Sequence, residues 1–296
     1  LQKTFKGARV FNTLLDETMI LGLAQGFANL GMLPLPEIQY LAYFHNACDQ
    51  IRGEACSLQF FSNGQYRNPM VMRVASLGYQ RGFGGHFHND NSITALRDIP
   101  SLVVGCPSRG DDAVTMLRSM TALAKVDGRV CAYLEPIALY MSKDLYETGD
   151  GLWQTRYPAP SEAMEIGSER TYFPENNDLV VFTFGNGVPM SLRAARQIED
   201  TLQWKVRVVD LRWLQPLNEA AIAHHAGECK RILVVDEGRR SAGVGEGIIT
   251  AIVEAGHGAK PLRRVVGADT YTPLAGAAFA VIPADADIVN AAIELI

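Results

Sequence analysis

The stretch GDGLWQTRYPAPSEAMEIGSERTYFPENN, residues 149–177, decides how this 296-residue chain divides. Its ends, Gly149-Asp150-Gly151 and Asn176-Asn177, have the composition of a clamp for a metal ion and a diphosphate. Such a clamp needs a hydrophobic strand ending at Gly-Asp-Gly, a helix behind it, and a second strand ending at the asparagines. Only then do backbone donors and side-chain oxygens converge on the anion and its ion. That setting is missing. Gly149 follows MSKDLYET, Pro158, Pro160 and Pro174 interrupt the interval, and Asn176-Asn177 precede an apolar run rather than end one. A short motif without its structural context carries no site. The segment reads as an interdomain linker that crosses the surface.

On either side of it, short apolar runs alternate with helical patterns. RVFNT from Arg9, LPLPEIQY from Leu33, MVMRVAS from Met70, SLVVGCP from Ser101 and VCAYLEP from Val130 read as strands, with helices over about residues 17–31, 40–56 and 109–125. After the linker the alternation resumes with DLVVFTFGN, SLRAARQIEDTLQW, KVRVVDLR, NEAAIAHHAGEC, RILVVDEG, GEGIITAIVEAG, LRRVVGA and ADIVNAAIELI. Strands alternating with helices imply largely parallel sheets covered on both faces. The expected fold is therefore α/β, two three-layer domains, with boundaries at 1–150 and 178–296 and a linker over 151–177.

Composition excludes several classes of function. A formal net charge of -5 gives no basic face for nucleic acid. Five cysteines without C-x-x-C spacing support neither a zinc site nor a disulfide framework, and fit a reducing, cytoplasmic compartment. The uncharged segment MILGLAQGFANLGMLPLP, residues 19–36, is broken by polar residues and prolines. It reads as a buried helix followed by a buried strand and not as a membrane span. The opening LQKTFKGARVF has no apolar signal region, and a start without Met suggests a processed or excised piece.

Two places carry candidate chemistry. In FNTLLDETMILGLAQG, Glu17 lies at the start of an almost wholly apolar helix, where first-turn acids are also favoured by the helix dipole alone. In GFGGHFHNDNS, residues 82–92, a Gly-rich loop after a strand presents His86, His88, Asn89 and Asp90, the arrangement expected at an active-site rim. DEGRRSAGVGEG has the wrong glycine spacing for a dinucleotide turn and reads as a structural turn. His224 and His225 read as helix-surface residues rather than ligands.

These pieces, in order, carry a resemblance: RVFNTLLDE, PEIQYLAYFHNACDQI, FHNDN before DIPSLVVGCPS, YLEPIALY, VVDLRWLQPLN, VVDEG and RRVVGADTYTP. From Arg9 to the C-terminus the chain resembles the β subunit of the thiamine-diphosphate-dependent decarboxylase component of 2-oxo acid dehydrogenase complexes, nearest the branched-chain type. The resemblance implies a pyrimidine-binding domain followed by a transketolase C-terminal-like domain, without the family's opening segment. It implies that thiamine diphosphate is shared with an α-type partner, which holds the diphosphate and magnesium, so no metal ligand is assigned to this chain. The further partners implied are a lipoyl acyltransferase component and a second β-type part in a homodimer.

By the same resemblance, Glu17 matches the glutamate that bonds the aminopyrimidine ring nitrogen. A carboxyl among apolar neighbours can hold and share a proton there. Tyr43 matches an aromatic residue beside the pyrimidine, and Leu15 and Gln39 match positions in the same wall. His88 matches the histidine facing the reacting centre, with His86 a second candidate. Departures are Leu14 in place of the usual proline, Asn89-Asp90 in place of Ser-Gln, and Arg129 where an asparagine accompanies Asp127 in a potassium site. The alternatives are a transketolase-like or deoxyxylulose-phosphate-synthase-like part, for which only His86, His88 and Arg81 could meet a phosphate, and a catalytically incomplete dimerisation or interaction module.

Overall fold

The computed structural model describes residues 1–80 and 84–296. Four strands precede the segment quoted above: β1 (Glu37–Ile38), β2 (Met70–Ser76), β3 (Val103–Gly105) and β4 (Val130–Pro136). Then come β5 (Arg170–Tyr172), β6 (Leu179–Thr183), β7 (Val206–Asp210), β8 (Trp213–Gln215), β9 (Arg231–Arg239) and β10 (Leu262–Gly267). They form two five-stranded sheets, ordered β1-β2-β4-β3-β8 and β10-β9-β6-β7-β5. Pairing is parallel except at one edge of each sheet, where β8 runs antiparallel to β3 and β5 antiparallel to β7.

Alternation along the strands builds three layers. Met70, Met72 and Val74 of β2 face Leu21, Ala24 and Phe44, whereas Val71 faces Met116, Met120 and Ala124 of helix Gly110–Asp127. The second sheet divides likewise. Val180 and Phe182 pack with Ile222 and Ile248, while Leu179 and Val181 pack with Val188, Ile198 and Ile288. Fully burying a side chain of this size contributes about 1.5–3 kcal/mol. The apolar cluster beneath β2 continues without a break into the one beneath β6, through Leu77, Cys106, Phe184 and Leu211.

Four expectations need correction. RVFNT is no strand: residues 9–13 form turn and coil, with the Arg9 and Val10 N–H groups donating to the Lys6 carbonyl. LPLPEIQY contracts to Glu37–Ile38, because Pro34 and Pro36 have no N–H to give a ladder. Their carbonyls still accept from Val71 and Arg73 of β2, at 3.2 and 2.9 Å. Helix Glu17–Asn29 is not buried. Only Leu21, Ala24 and Ala28 are inside, while Met19, Leu23 and the following Leu30 stay exposed. The helix expected over 40–56 breaks into Leu41–Phe44, a 3₁₀ turn His45–Ala47 and a π-helical turn Gln50–Ala55.

The segment 151–177 contains β5, which joins the second sheet. One apolar run, Ala275–Ile293, is long enough by composition to cross a membrane. It is divided around Pro283 into a 3₁₀ turn, Ala275–Ala280, and the helix Asp285–Ile293, whose first turn carries Asp285 and Asp287.

Candidate active site

Asp16 starts the helix that carries Glu17. Its backbone is extended, and its side chain accepts the Met19 N–H at 3.0 Å, a cap of the kind that contributes about 1 kcal/mol. Glu17 occupies the first turn, where the dipole favours a carboxylate. Its Oε2 accepts from Asn46 Nδ2 at 3.3 Å, and Thr18 Oγ1 donates to the Asn46 carbonyl at 2.9 Å. These contacts tie the helix start to the turn that follows Tyr43. The apolar seclusion expected around Glu17 is not supplied by this chain. Glu17 is half-buried, and Leu14 and Leu15 beside it are 71% and 85% exposed.

Tyr43 and His88 meet directly, with the Tyr43 hydroxyl 3.3 Å from His88 Nε2. The Tyr40 ring stands edge-on to the same imidazole, centroids 4.6 Å apart at 74°, and 5.8 Å from the Tyr43 ring. His88 follows the 3₁₀ turn Gly85–Phe87, and its Nδ1 lies 3.3 Å from the Gly84 carbonyl. A proton on Nδ1 donated to that carbonyl leaves Nε2 to accept the Tyr43 O–H, so the backbone favours one tautomer. Glycine at 84 gives the imidazole its place, because a Cβ there would sit 2.1 Å from Nδ1.

Of the other sequence-predicted residues, Gln39 is exposed just past β1, next to Tyr40, and Leu15 faces solvent. His86 packs on Phe87 and on Tyr271 of the second domain, with centroids at 4.1 and 5.1 Å. Arg81 and Gly82 lie outside the described residues. Reasoning from sequence missed Tyr40 and Asn46. The i, i+3 spacing of Tyr40 and Tyr43 is the signal that places both rings on one face of a helical turn.

Asp90 is buried beside this wall. Burial opposes its ionisation, yet hydrogen bonds from His45 and Ser92 and the charge of Arg239 outweigh it and hold the carboxyl below the usual range. Arg239 Nη2 donates to Asp90 Oδ1 at 2.9 Å, and His45 Nε2 lies 3.8 Å from Oδ2 and 2.8 Å from Ser92 Oγ. One imidazole nitrogen thus faces both the serine and the carboxylate. A Ser-His-Asp relay needs the two ring nitrogens separately engaged.

Elsewhere, carboxylates and cations serve the fold. Asp150 accepts from the N–H groups of Leu145, Tyr146, Glu147 and Leu152 at 2.7–3.0 Å, and these bonds, Leu152's foremost, hold its carboxyl well below the usual range. Asn176 donates to the Val206 carbonyl of β7 at 2.9 Å, so the two ends of the opening stretch serve separate parts of the fold. Arg129 directs its guanidinium to the Ser101 carbonyl at 2.7 Å. Asp236 gathers the N–H groups of Gly238 and Gly245, each at 2.8 Å, which makes the glycine-rich segment after β9 a structural turn. His224 is exposed, but His225 is not a surface residue. It is buried, with Nδ1 3.0 Å from Arg207 Nη1 and Nε2 3.2 Å from Thr171 Oγ1.

Comparison with known proteins agrees with the two-sheet plan. The sequence pattern of the transketolase pyrimidine-binding domain matches residues 1–146, and that of the transketolase C-terminal domain matches residues 172–287. The "Pyruvate dehydrogenase E1 component subunit beta" of Staphylococcus aureus is 32% identical over 301 residues, covering 99% of this chain and 86% of that protein. Its counterpart from Staphylococcus epidermidis is 31% identical over 299 residues, covering 99% and 85%. A solved structure described as "Split gene transketolase, inactive beta4 tetramer" superposes with a TM-score of 0.74 at 18% identity, over 99% of this chain and 86% of that one. At that identity the likeness concerns the fold.

Proposed function

The chain belongs to the β-subunit family of the thiamine-diphosphate-dependent decarboxylase component of 2-oxo acid dehydrogenases, and from that premise we propose that it supplies the heterocycle-facing half of an active site completed by an α-type partner. The reaction is oxidative decarboxylation of a 2-oxo acid with acyl transfer to a lipoyl group on an acyltransferase component. Branched-chain 2-oxo acids are the substrates proposed from the resemblance, with pyruvate, the acid in the relatives' names, as the alternative. A homodimer of β-type parts and a cytoplasmic setting complete the reading.

The observation that carries it is the wall formed by Glu17, Asn46, Tyr43, Tyr40 and His88. Its chemistry suits a flat nitrogen heterocycle. Two aromatic rings offer edges and faces for stacking, and a carboxylate with one oxygen engaged keeps the other for a ring nitrogen. It does not suit a diphosphate, since Asp150 and Asn176 are occupied elsewhere. Thiamine diphosphate, when bound, supplies the carbon nucleophile and the electron sink for loss of carbon dioxide. Glu17 would hold or share the proton at the ring nitrogen, and the tyrosines would orient the ring. His88, with Nδ1 engaged by the backbone, would exchange a proton through Nε2 with the reacting groups. The exposed apolar side of helix Glu17–Asn29, with Leu14 and Leu15, gives the partner a surface to bury, which would exclude water from Glu17.

The test is titration calorimetry of thiamine diphosphate with magnesium into this chain alone and into the assembly with its α-type partner. Weak binding alone and tight binding in the assembly are expected. Tight binding to the isolated chain refutes the division of the pocket. In the assembly, Glu17→Gln should abolish cofactor-dependent turnover of both candidate acids without dissociating the subunits, and an active variant removes Glu17 from the mechanism.

A further inference from the structure

The loop that carries His88 is held from both domains: Gln80 of the first donates to the His88 carbonyl, and the second meets the loop at several points. Gly84 forms an isolated antiparallel bridge with Leu274. Thr272 Oγ1 donates to the Asn89 carbonyl at 3.0 Å, and Asn91 Nδ2 donates to the Glu237 carbonyl at 2.9 Å. Between these neutral contacts lies the only ion pair joining this loop to the second domain among the described residues, Arg239 to Asp90 at 2.9 Å. Asp90 is two residues from His88, and its side chain is 7% exposed against 33% for Arg239. Asn89, between them, is pinned by Gly84 N–H donating to its Oδ1 at 3.0 Å. Displacing Asp90 therefore moves a short, already hydrogen-bonded segment as a unit.

We propose that the Asp90–Arg239 ion pair is a positioning element, which sets the His88 imidazole against Tyr43 by locking its loop to the second domain. The physical basis is the cost of a lone buried carboxylate. With Arg239 in place, Asp90 can stay inside. With the guanidinium gone, Ser92 and His45 remain its polar neighbours, and the loop must shift to hydrate the carboxylate. Asp90 acts through His88 and has no part in the chemistry itself. The consequence for turnover rests on the role given to His88 above, whereas the geometric claim stands on contacts within this chain.

The variants are Arg239→Met, which removes the charge; Arg239→Lys, which keeps it; Asp90→Asn, which is isosteric; and the double variant Asp90→Asn/Arg239→Met. The first readout uses the isolated chain without cofactor or substrate: NMR of the imidazole ring signals of its six histidines, with His88 assigned by His88→Asn. Arg239→Met should move the His88 signals toward those of an exposed histidine. Arg239→Lys should retain them, and the double variant should recover part of the shift, because no unpaired carboxylate remains buried. Unmoved His88 signals in Arg239→Met overturn the proposal. If Arg239→Met fails to fold, as judged by its melting transition, the comparison passes to Arg239→Gln, which also leaves the Asp90 carboxylate without its cation and whose unmoved signals overturn the proposal equally.

The second readout is steady-state kinetics in the assembly with the α-type partner. Misplacing a catalytic group by about 1 Å can lower kcat on the order of 100-fold. Arg239→Met should lower kcat to that degree with little change in KM, and Arg239→Lys should rescue it. A moved His88 signal with unchanged kcat supports the positioning and refutes the role of His88 in turnover, so the two ideas fail separately.

Discussion

Glu237 offers the sharpest quantitative test of the interface between the domains. Its side chain is buried at the end of β9, and Asn186 Nδ2 lies 2.9 and 3.2 Å from its two oxygens. Complete burial, aided by the neighbouring Asp236 carboxylate, pushes its pKa from 4.5 up to about 8 against the opposing hydrogen bonds from Asn186 and Gly78. Below pH 4.5 both the folded and unfolded chains hold the proton, and Glu237 has no effect on the pH dependence of stability. Between 4.5 and about 8 the unfolded chain releases it and the folded chain keeps it, so rising pH favours unfolding. At about 1.4 kcal/mol per pH unit the full effect is roughly 5 kcal/mol, a large share of a typical stability. Glutamine at 237 mimics the protonated acid and carries no such dependence. Urea unfolding of the wild type and Glu237→Gln from pH 4.5 to 9 should show the variant gaining on the wild type across that window by several kcal/mol. The comparison between the two proteins cancels Asp210, whose pKa burial pushes up to about 7 in the same range. A difference that stays flat with pH refutes the claim that Glu237 is folded in its neutral form.

Two further outcomes are expected. Gly84→Ala would place a methyl group against His88 Nδ1 and should displace the imidazole from Tyr43, seen as a shift of the His88 ring signals with the melting temperature little changed. Asp112→Ala should cost about 3–5 kcal/mol in urea unfolding, because its buried carboxylate joins Arg170 and Arg212 at 2.8–3.0 Å and both guanidiniums would be left without it.

The fold was legible wherever a run of residues is buried on both faces. MVMRVAS and VCAYLEP read as strands and are β2 and β4 over those residues, since continuous apolar runs mark central parallel strands. Legibility failed where tertiary contact outweighs local pattern. RVFNT has the composition of a strand but finds no neighbour to pair with among the described residues, and Trp213–Gln215 is too short to announce itself. Helix Glu17–Asn29 reads as buried from its sequence, since an apolar surface awaiting a partner and a core helix look alike there. At the site, the Gly-rich loop offered His86 and His88 together, the family resemblance chose His88 and supplied Tyr43, and the structure adds that the two touch. Asp90 could not have been paired with Arg239 beforehand, because 149 residues separate them and no periodicity links a loop to the end of a distant strand.

The placement of β8 has a bearing on how this chain can be cut. Trp213–Gln215 leaves the second half, crosses over, and lies along β3, whereas Arg170–Tyr172, upstream of the same boundary, lies along β7. The second domain thus lends the first its edge strand, and the linker edges the second, a dovetail rather than a butt joint. Scission near residue 177 would strip β3 of its cover and bare a row of backbone donors and acceptors of the kind that recruits foreign chains. Fragments made for study or for fusion would have to be co-expressed so that the dovetail can close.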